Sequence, residues 1–565
     1  MALALHGPHR DGSVTLSRVS STTLDAPERP VADSPLPLRY QLRRRLLGRP
    51  RTAREKMWAW LGPALVAVIG GILRFWDLGR PHQLIFDETY YVKEGWSLVQ
   101  YGIERQQNIF GTQTDNLFTM GSPQIYGSQA DFVVHPPFGK WVIGFFEWIF
   151  GINSSFGWRV GVALAGTIAI YLIGRCAWHL FRSPLLATLA SILLCFEGAA
   201  FVMSRVSILD GLVMFWPLAA FAALLADRDR SRRILADKVA AAREAAVPVS
   251  SLGPWLGWRP WRWVAAVCLG LGMATKWSDG FYLAIFGLMT VWWDLGARRT
   301  AGARNWIAGT FLKDALPAMV KLVGVSVLTY LLCWIGWFRS DDGYNRTWAL
   351  ANPANKDSGF SPDSSLFAWL PDSLRSLWQY HTEMYNSAKS ITASHPYMSN
   401  PWSWILQTRP TSFFYESPGK DAGCTVDQCS KAITSLGNPL IWWFGAIALV
   451  VCIFYWLFGR DWRAGAIVGG VAAGWLPWFS YQDRTIFTFY SVVFVPYIVL
   501  AFVFVLGLIL GAPDASARRV RAGRIAVGTF TVLTVALFVF FWPIWTAQVI
   551  PYTHWQARMW LPSWI

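Results

Sequence analysis

Apolar runs of about 20 residues recur along this chain, separated by short polar turns and by two long mixed segments. A run of that length is what an α-helix needs to cross a hydrocarbon core about 30 Å thick. The pattern predicts spans near 57–76, 158–180, 184–203, 207–226, 261–276, 279–295, 316–338, 438–458, 464–480, 487–510 and 524–545, eleven in all. A further run, 138–150, has only 13 residues, fewer than the roughly 17 a crossing requires, and is expected to lie at the interface. Before the first span, 1–56 carries Pro, Ser and Arg without apolar periodicity, which predicts a disordered arm rather than a signal peptide.

Charge fixes the expected orientation, because Lys and Arg accumulate in cytoplasmic loops. The arm holds 11 Lys/Arg, so the N-terminus is expected inside. With eleven spans, the loop 227–260 (Arg228, Arg230, Arg232, Arg233, Lys238, Arg243, Arg259) falls on the same side. So do 296–315 (Arg298, Arg299, Arg304, Lys313) and 511–523 (Arg518, Arg519, Arg521). The two long segments, 77–157 and 339–436, then lie outside with the C-terminus and hold at least as many acids as bases. Counting 138–150 as a span would put every later basic loop on the wrong side.

Composition excludes the main rival class. Only 15% of the 565 residues are charged and 54% are hydrophobic, against roughly 25% charge in soluble proteins. A net charge of +16 would suggest nucleic acid in a soluble chain, but here it is loop charge, and no nucleic-acid partner is expected. Five of the seven cysteines fall inside spans, whereas Cys424 and Cys429 sit together in the second external segment and are candidates for a disulfide. No further Cys or His completes a metal site with them.

The candidate chemistry gathers at external turns. Asp87-Glu88 follows the first span: one carboxylate is a candidate general base, its neighbour a group to orient the acceptor or hold a divalent cation. His135-Pro136-Pro137-Phe138-Gly139-Lys140 precedes the short apolar run, and Arg159 opens the second span. Ser204-Arg205 with Asp210, Thr275-Lys276-Trp277, and Gln482-Asp483-Arg484 occupy other outward turns. Ionisable groups at the rims of apolar spans mark sites or pair with one another. The cations call for an anionic ligand, and a site open to the outer leaflet suggests a lipid phosphate, bound by Arg484, Arg159, Lys276 and Arg205. Trp292-Trp293-Asp294 is set aside as a helix end facing the cytoplasm, and the Asn-x-Ser/Thr matches at Asn153 and Asn345 as chance.

The acidic pair, the His-Pro-Pro-x-Gly-Lys motif, Gly272-Met273-Ala274-Thr275-Lys276-Trp277, and the stretch His395-Pro396-Tyr397-Met398-Ser399-Asn400-Pro401-Trp402 occur in order. Together they resemble the protein O-mannosyltransferases, particularly the actinobacterial branch, from about residue 57 to the end. The resemblance implies an all-α polytopic membrane protein with the C-type glycosyltransferase fold, about 11 transmembrane helices and two long external loops. It also implies mannose transfer from polyprenyl-phosphate-mannose to Ser/Thr hydroxyls of secreted proteins, outside the plasma membrane. Asp87 is then the catalytic base and Glu88 its acceptor-positioning neighbour; Arg159 and Arg484 lie near the donor. His135, Lys140, His395, Tyr397 and Trp402 are supporting motif residues. Partners implied are the lipid-linked donor, acceptor polypeptides, membrane lipids and the translocation machinery. No cofactor and no metal ligand are assigned, and a divalent metal is left open.

Two departures from the wider family stand out. An external loop of about 98 residues is too short for the β-trefoil domain of the eukaryotic enzymes. Phe487-Thr488-Phe489-Tyr490 lacks a histidine common in those relatives, so no role is assigned there. The alternative is a lipid-linked sugar transferase with a glycolipid or polysaccharide acceptor. A transporter would need mid-span ionisable residues and inverted repeats, which the pattern lacks.

Overall fold

The computed structural model describes residues 36–108, 112–356, 358–512 and 515–565. Helices cover each apolar segment: α1 (Leu38–Leu47), α2 (Ala53–Phe75), α3 (Glu88–Tyr101), α4 (Phe138–Phe150), α5 (Ser155–Phe181), α6 (Pro184–Cys195), α7 (Gly198–Met203) and α8 (Asp210–Glu244). They continue with α9 (Pro260–Met273), α10 (Gly280–Thr300) and α11, a run over Trp306–Cys333 that includes two π-helical stretches. Then follow α12 (Asp372–Ser390), α13 (Pro439–Leu457), α14 (Trp462–Trp475), α15 (Val495–Leu510) and α16 (Ala517–Trp545). Among the described residues, eight helices are long and apolar enough to cross a membrane by themselves. The chain is a multi-span, mostly helical membrane protein.

Several expected boundaries move. The segment 184–203 is divided between α6 and α7, because Phe196-Glu197 leaves the helix and the Glu197 carboxylate caps α7 by accepting from Ala199 and Ala200 N–H. Helix α8 continues 18 residues past the expected end at 226, to Glu244, so much of the basic loop is helix. The arm expected to be disordered contains α1, whose Leu42 and Leu46 are buried against α8; residues 1–35 lie outside the described residues. Segment 138–150 is helical over its whole length as α4, packed on α3 and α5, with Phe145, Trp148 and Ile149 left exposed. Helices α3 and α4 cross at Gly95 and Gly144; a Cβ on Gly144 would meet the Gly95 carbonyl oxygen at 2.2 Å.

The segment 339–436 is held by strands β1 (Thr411–Glu416) and β2 (Cys429–Ser435), with β3 (Ile550–Pro551) added beside β2. A disulfide joins Cys424 to Cys429, the first residue of β2.

Away from these loops, three aspartates and three arginines are buried together. Arg259 and Arg262 of the α9 start bind Asp227 of α8 and Asp294 of α10, and Arg298 binds Asp314 at 2.5 Å. The expectation that Trp292-Trp293-Asp294 is a helix end is therefore corrected: α10 runs on to Thr300, and Asp294 is a buried member of this cluster. Asp227 lies 17 residues along α8 from Asp210, about 25 Å at the helical rise.

Candidate active site

The loop after α2 is fixed from below. Arg205 donates to the Arg74 and Trp76 carbonyls, each at 2.7 Å, and to Asp77 O, satisfying acceptors that the end of α2 leaves open. Arg159 is committed in the same way. Its guanidinium binds both Glu88 carboxylate oxygens and the carbonyls of Leu78, Pro81 and Gln83. Expecting these two arginines to hold a donor phosphate is not met, because the backbone and Glu88 occupy them. Glu88 is likewise no surface group: it is wholly buried and also accepts from Ile85 and Ser207 N–H. These bonds register the start of α3 against the 204–210 turn.

Asp87 is placed by that clamp. Phe86 before it adopts φ 50°, a left-handed conformation uncommon for a non-glycine residue, and its ring packs on Phe413 and Phe489. The strain turns the chain so that Asp87 sits just before α3. Among the described residues no hydrogen bond reaches its carboxylate. Burial pushes its pKa up to about 6; Lys276 opposes the rise, while Asp210 and Glu94 reinforce it.

Asp210 and Lys276, whose charges reach Asp87, line a cavity of about 240 Å³. Its polar lining includes His135, Asp210, Lys276, Tyr385, Lys389 and Arg484, and its apolar wall includes Tyr282, Trp478 and Val493. Lys276 pairs with Asp210 at 2.6 Å and lies 5.3 Å from the Tyr490 ring centre. Arg484 has no carboxylate within ion-pair distance among the described residues, and its Nε is buried with no hydrogen-bond partner there. An anion in the cavity would supply that partner. His135 is held neutral, its pKa driven well below the ordinary value by burial and then by Lys276, Lys140 and Arg484.

The other motif residues divide. Lys140 is wholly buried between Glu104 and Glu94, bracing α3 against α4. His395 lies with its ring 5.0 Å from Phe487, Tyr397 stacks under Arg409, and Trp402 is exposed over Phe479. Tyr490, given no role from sequence, reaches the cavity lining, as do Tyr385 and Lys389 of α12. Only an aromatic-rich stretch flanking Arg484 signalled the first. Lys389 had no signal at all. Among the described residues no group of three His, Cys, Asp or Glu side chains converges as a metal would require.

Residues 64–333 match the family model described as dolichyl-phosphate-mannose-protein mannosyltransferase, and 373–564 that of the C-terminal four-helix membrane region of protein O-mannosyltransferase. A polyprenol-phosphate-mannose–protein mannosyltransferase of Mycobacterium tuberculosis is 33% identical over 518 residues, covering 90% of this chain and 92% of that one. The chain belongs to the protein O-mannosyltransferase family. A relative of the same name from Corynebacterium glutamicum is 32% identical, over 89% of this chain and 92% of its own. The fold is shared with the Saccharomyces cerevisiae protein O-mannosyltransferase complex bound to the sugar donor, with a TM-score of 0.67 at 15% identity, covering 93% of this chain and 94% of that one.

Proposed function

We propose that this protein O-mannosyltransferase moves mannose from polyprenyl-phosphate-mannose to Ser or Thr hydroxyls of secreted polypeptides, at the cavity lined by Lys276 and Arg484. The observation carrying this is one arrangement: a carboxylate free of hydrogen bonds among the described residues and within electrostatic reach of Lys276, and a cavity lined by Lys276 and by an Arg484 whose Nε has no partner there.

The chemistry is a single displacement. The Asp87 carboxylate takes the hydroxyl proton as the acceptor oxygen attacks the anomeric carbon. The bond from that carbon to the phosphate oxygen breaks, and its electron pair leaves with polyprenyl phosphate. Arg484 and Lys276 stabilise the charge gathering on the leaving group, so no second carboxyl needs to protonate it. Attack opposite the leaving group inverts the centre, giving an α-linkage from a β-linked donor. Neutral His135 can hydrogen-bond the sugar without adding charge.

The setting is the plasma membrane with eleven crossings, the N-terminus cytoplasmic, and the active site and C-terminus external. Loop charge supports that orientation. Membrane lipids surround the spans, and nascent chains leaving the translocation machinery are the fitting acceptors. Incubating membranes with labelled polyprenyl-phosphate-mannose and a Ser/Thr-rich peptide tests the reading. Label should enter the peptide as α-mannose; label found only in glycolipid or polysaccharide would replace the protein acceptor with the other class.

A further inference from the structure

Three side chains from separate elements form a hydrogen-bonded chain at the cavity: Trp277, Tyr330 of α11 and His381 of α12. The Trp277 indole N–H donates to the Tyr330 hydroxyl at 2.9 Å, and that hydroxyl meets His381 Nε2. His381 Nδ1 lies 2.6 Å from Leu377 O, one turn back along α12. A carbonyl only accepts, so Nδ1 carries the proton. Nε2 of the neutral ring is then an acceptor, and Tyr330 donates to it. Burial favours the neutral form, pushing the His381 pKa down to about 4 against the pull of the Leu377 carbonyl. The bonds therefore run one way, from Trp277 through Tyr330 and His381 to Leu377 O. The Trp277 ring also stacks on His381, with centroids 5.3 Å apart and planes 20° from parallel. It is held by its face and by its N–H at once.

The chain joins two walls of the cavity. Trp277 follows Lys276, and both line it. His381, Tyr385 and Lys389 recur every four residues on one face of α12, and the latter two line it from that side. Lys276 is extended, with φ −147° and ψ 139°, and opens the short turn Trp277–Asp279. Clamping the Trp277 ring limits rotation of the backbone from which the Lys276 side chain starts. A binding cation is worth most when the groups behind it are locked by packing and hydrogen bonds.

We infer that His381 is a positioning residue for the donor phosphate: through Tyr330 and the stacked Trp277 it fixes the turn from which Lys276 reaches the cavity. His381 touches no substrate in this role and acts only through Lys276. The inference rests on the lipid-phosphate donor proposed above.

Equilibrium binding of labelled polyprenyl-phosphate-mannose to the purified full-length protein in detergent tests it, since binding needs no acceptor. H381F keeps a ring to stack on and removes the Nε2 lone pair. Y330F cuts the chain at its middle, and H381Q returns a carbonyl oxygen close to where Nε2 stood. H381F and Y330F should each raise the donor Kd about three- to tenfold, the scale of one lost hydrogen bond. H381Q should stay within about twofold of wild type. In a K276M background H381F should add less than about twofold, because the residue it positions is gone. Y330F carries the same comparison should H381F fail to fold. An H381F that multiplies the K276M effect by its full factor overturns the inference, because general loosening would do that. So does a Kd unmoved by H381F or by Y330F, or an H381Q as weak as H381F. Wild-type protein that does not bind the donor overturns the donor reading, and the role of His381 with it.

Discussion

Glu88 and Arg159 neutralise one another through two parallel hydrogen bonds of 2.8 Å, with neither side chain reaching solvent. The carboxylate next in sequence, Asp87, has no such partner. Adjacent acids thus do different work: one holds the loop, the other is left free to take a proton.

Substituting Asp87 by Asn should lower mannose transfer by about 10²- to 10⁴-fold. Wild-type kcat/KM should rise with pH through about 6, because only the ionised form is a base and burial retains its proton. The stability sign is opposite. A carboxyl whose folded pKa exceeds the unfolded one favours the fold when protonated, and that contribution is lost as pH rises toward and past 6. Asp87→Asn should therefore raise the thermal midpoint at pH 7 to 8 while lowering transfer. A flat pH profile, or unchanged transfer, would refute the assignment.

Breaking the Glu88–Arg159 pair should cost folding rather than chemistry alone. Glu88→Gln and Arg159→Met each leave one buried partner uncompensated, for a loss of about 3–5 kcal/mol. The double variant should lose less than the sum of the two, since it strands neither charge. Unfolding of the purified variants in detergent measures all three.

Replacing Arg484 by Gln should raise the donor KM about 10- to 100-fold, the range expected for a lost hydrogen bond to a charged group. The acceptor KM should stay within about threefold by the same scale. Steady-state kinetics with each substrate varied decides it; the reverse pattern would remove Arg484 from the phosphate.

Lys276 and Asp210 act on Asp87 with opposite signs. Lys276→Met should move the rising limb of the pH profile above 6, and Asp210→Asn should move it below. Equal displacement in one direction would show that neither charge reaches the base.

Sequence reasoning picks out Lys276 and Arg484, which the fold brings to one cavity, and Asp87, which Lys276 influences, because charges at the rims of apolar spans are conspicuous. The same logic misassigns Arg159 and Arg205, since a rim arginine that binds ligand and one that binds carbonyls look alike until the loop's backbone is seen. Lys140 is expected as a supporting residue, but what it supports is not legible, because its partners Glu94 and Glu104 are remote from it in sequence. Tyr490 and Lys389 reach the cavity only through tertiary packing, which no periodicity encodes. The 13-residue limit of α4 is legible because Pro137 and Gly151 bound it.

The buried arginine–aspartate cluster joins α8, α9, α10 and α11 about 25 Å from Asp210. Its six charges cancel, and separating the helices there would strand ions in a medium that cannot hydrate them. These helices are consequently riveted at the end remote from the cavity that Asp210 lines. Any widening of the cavity is then left to the opposite end of these helices.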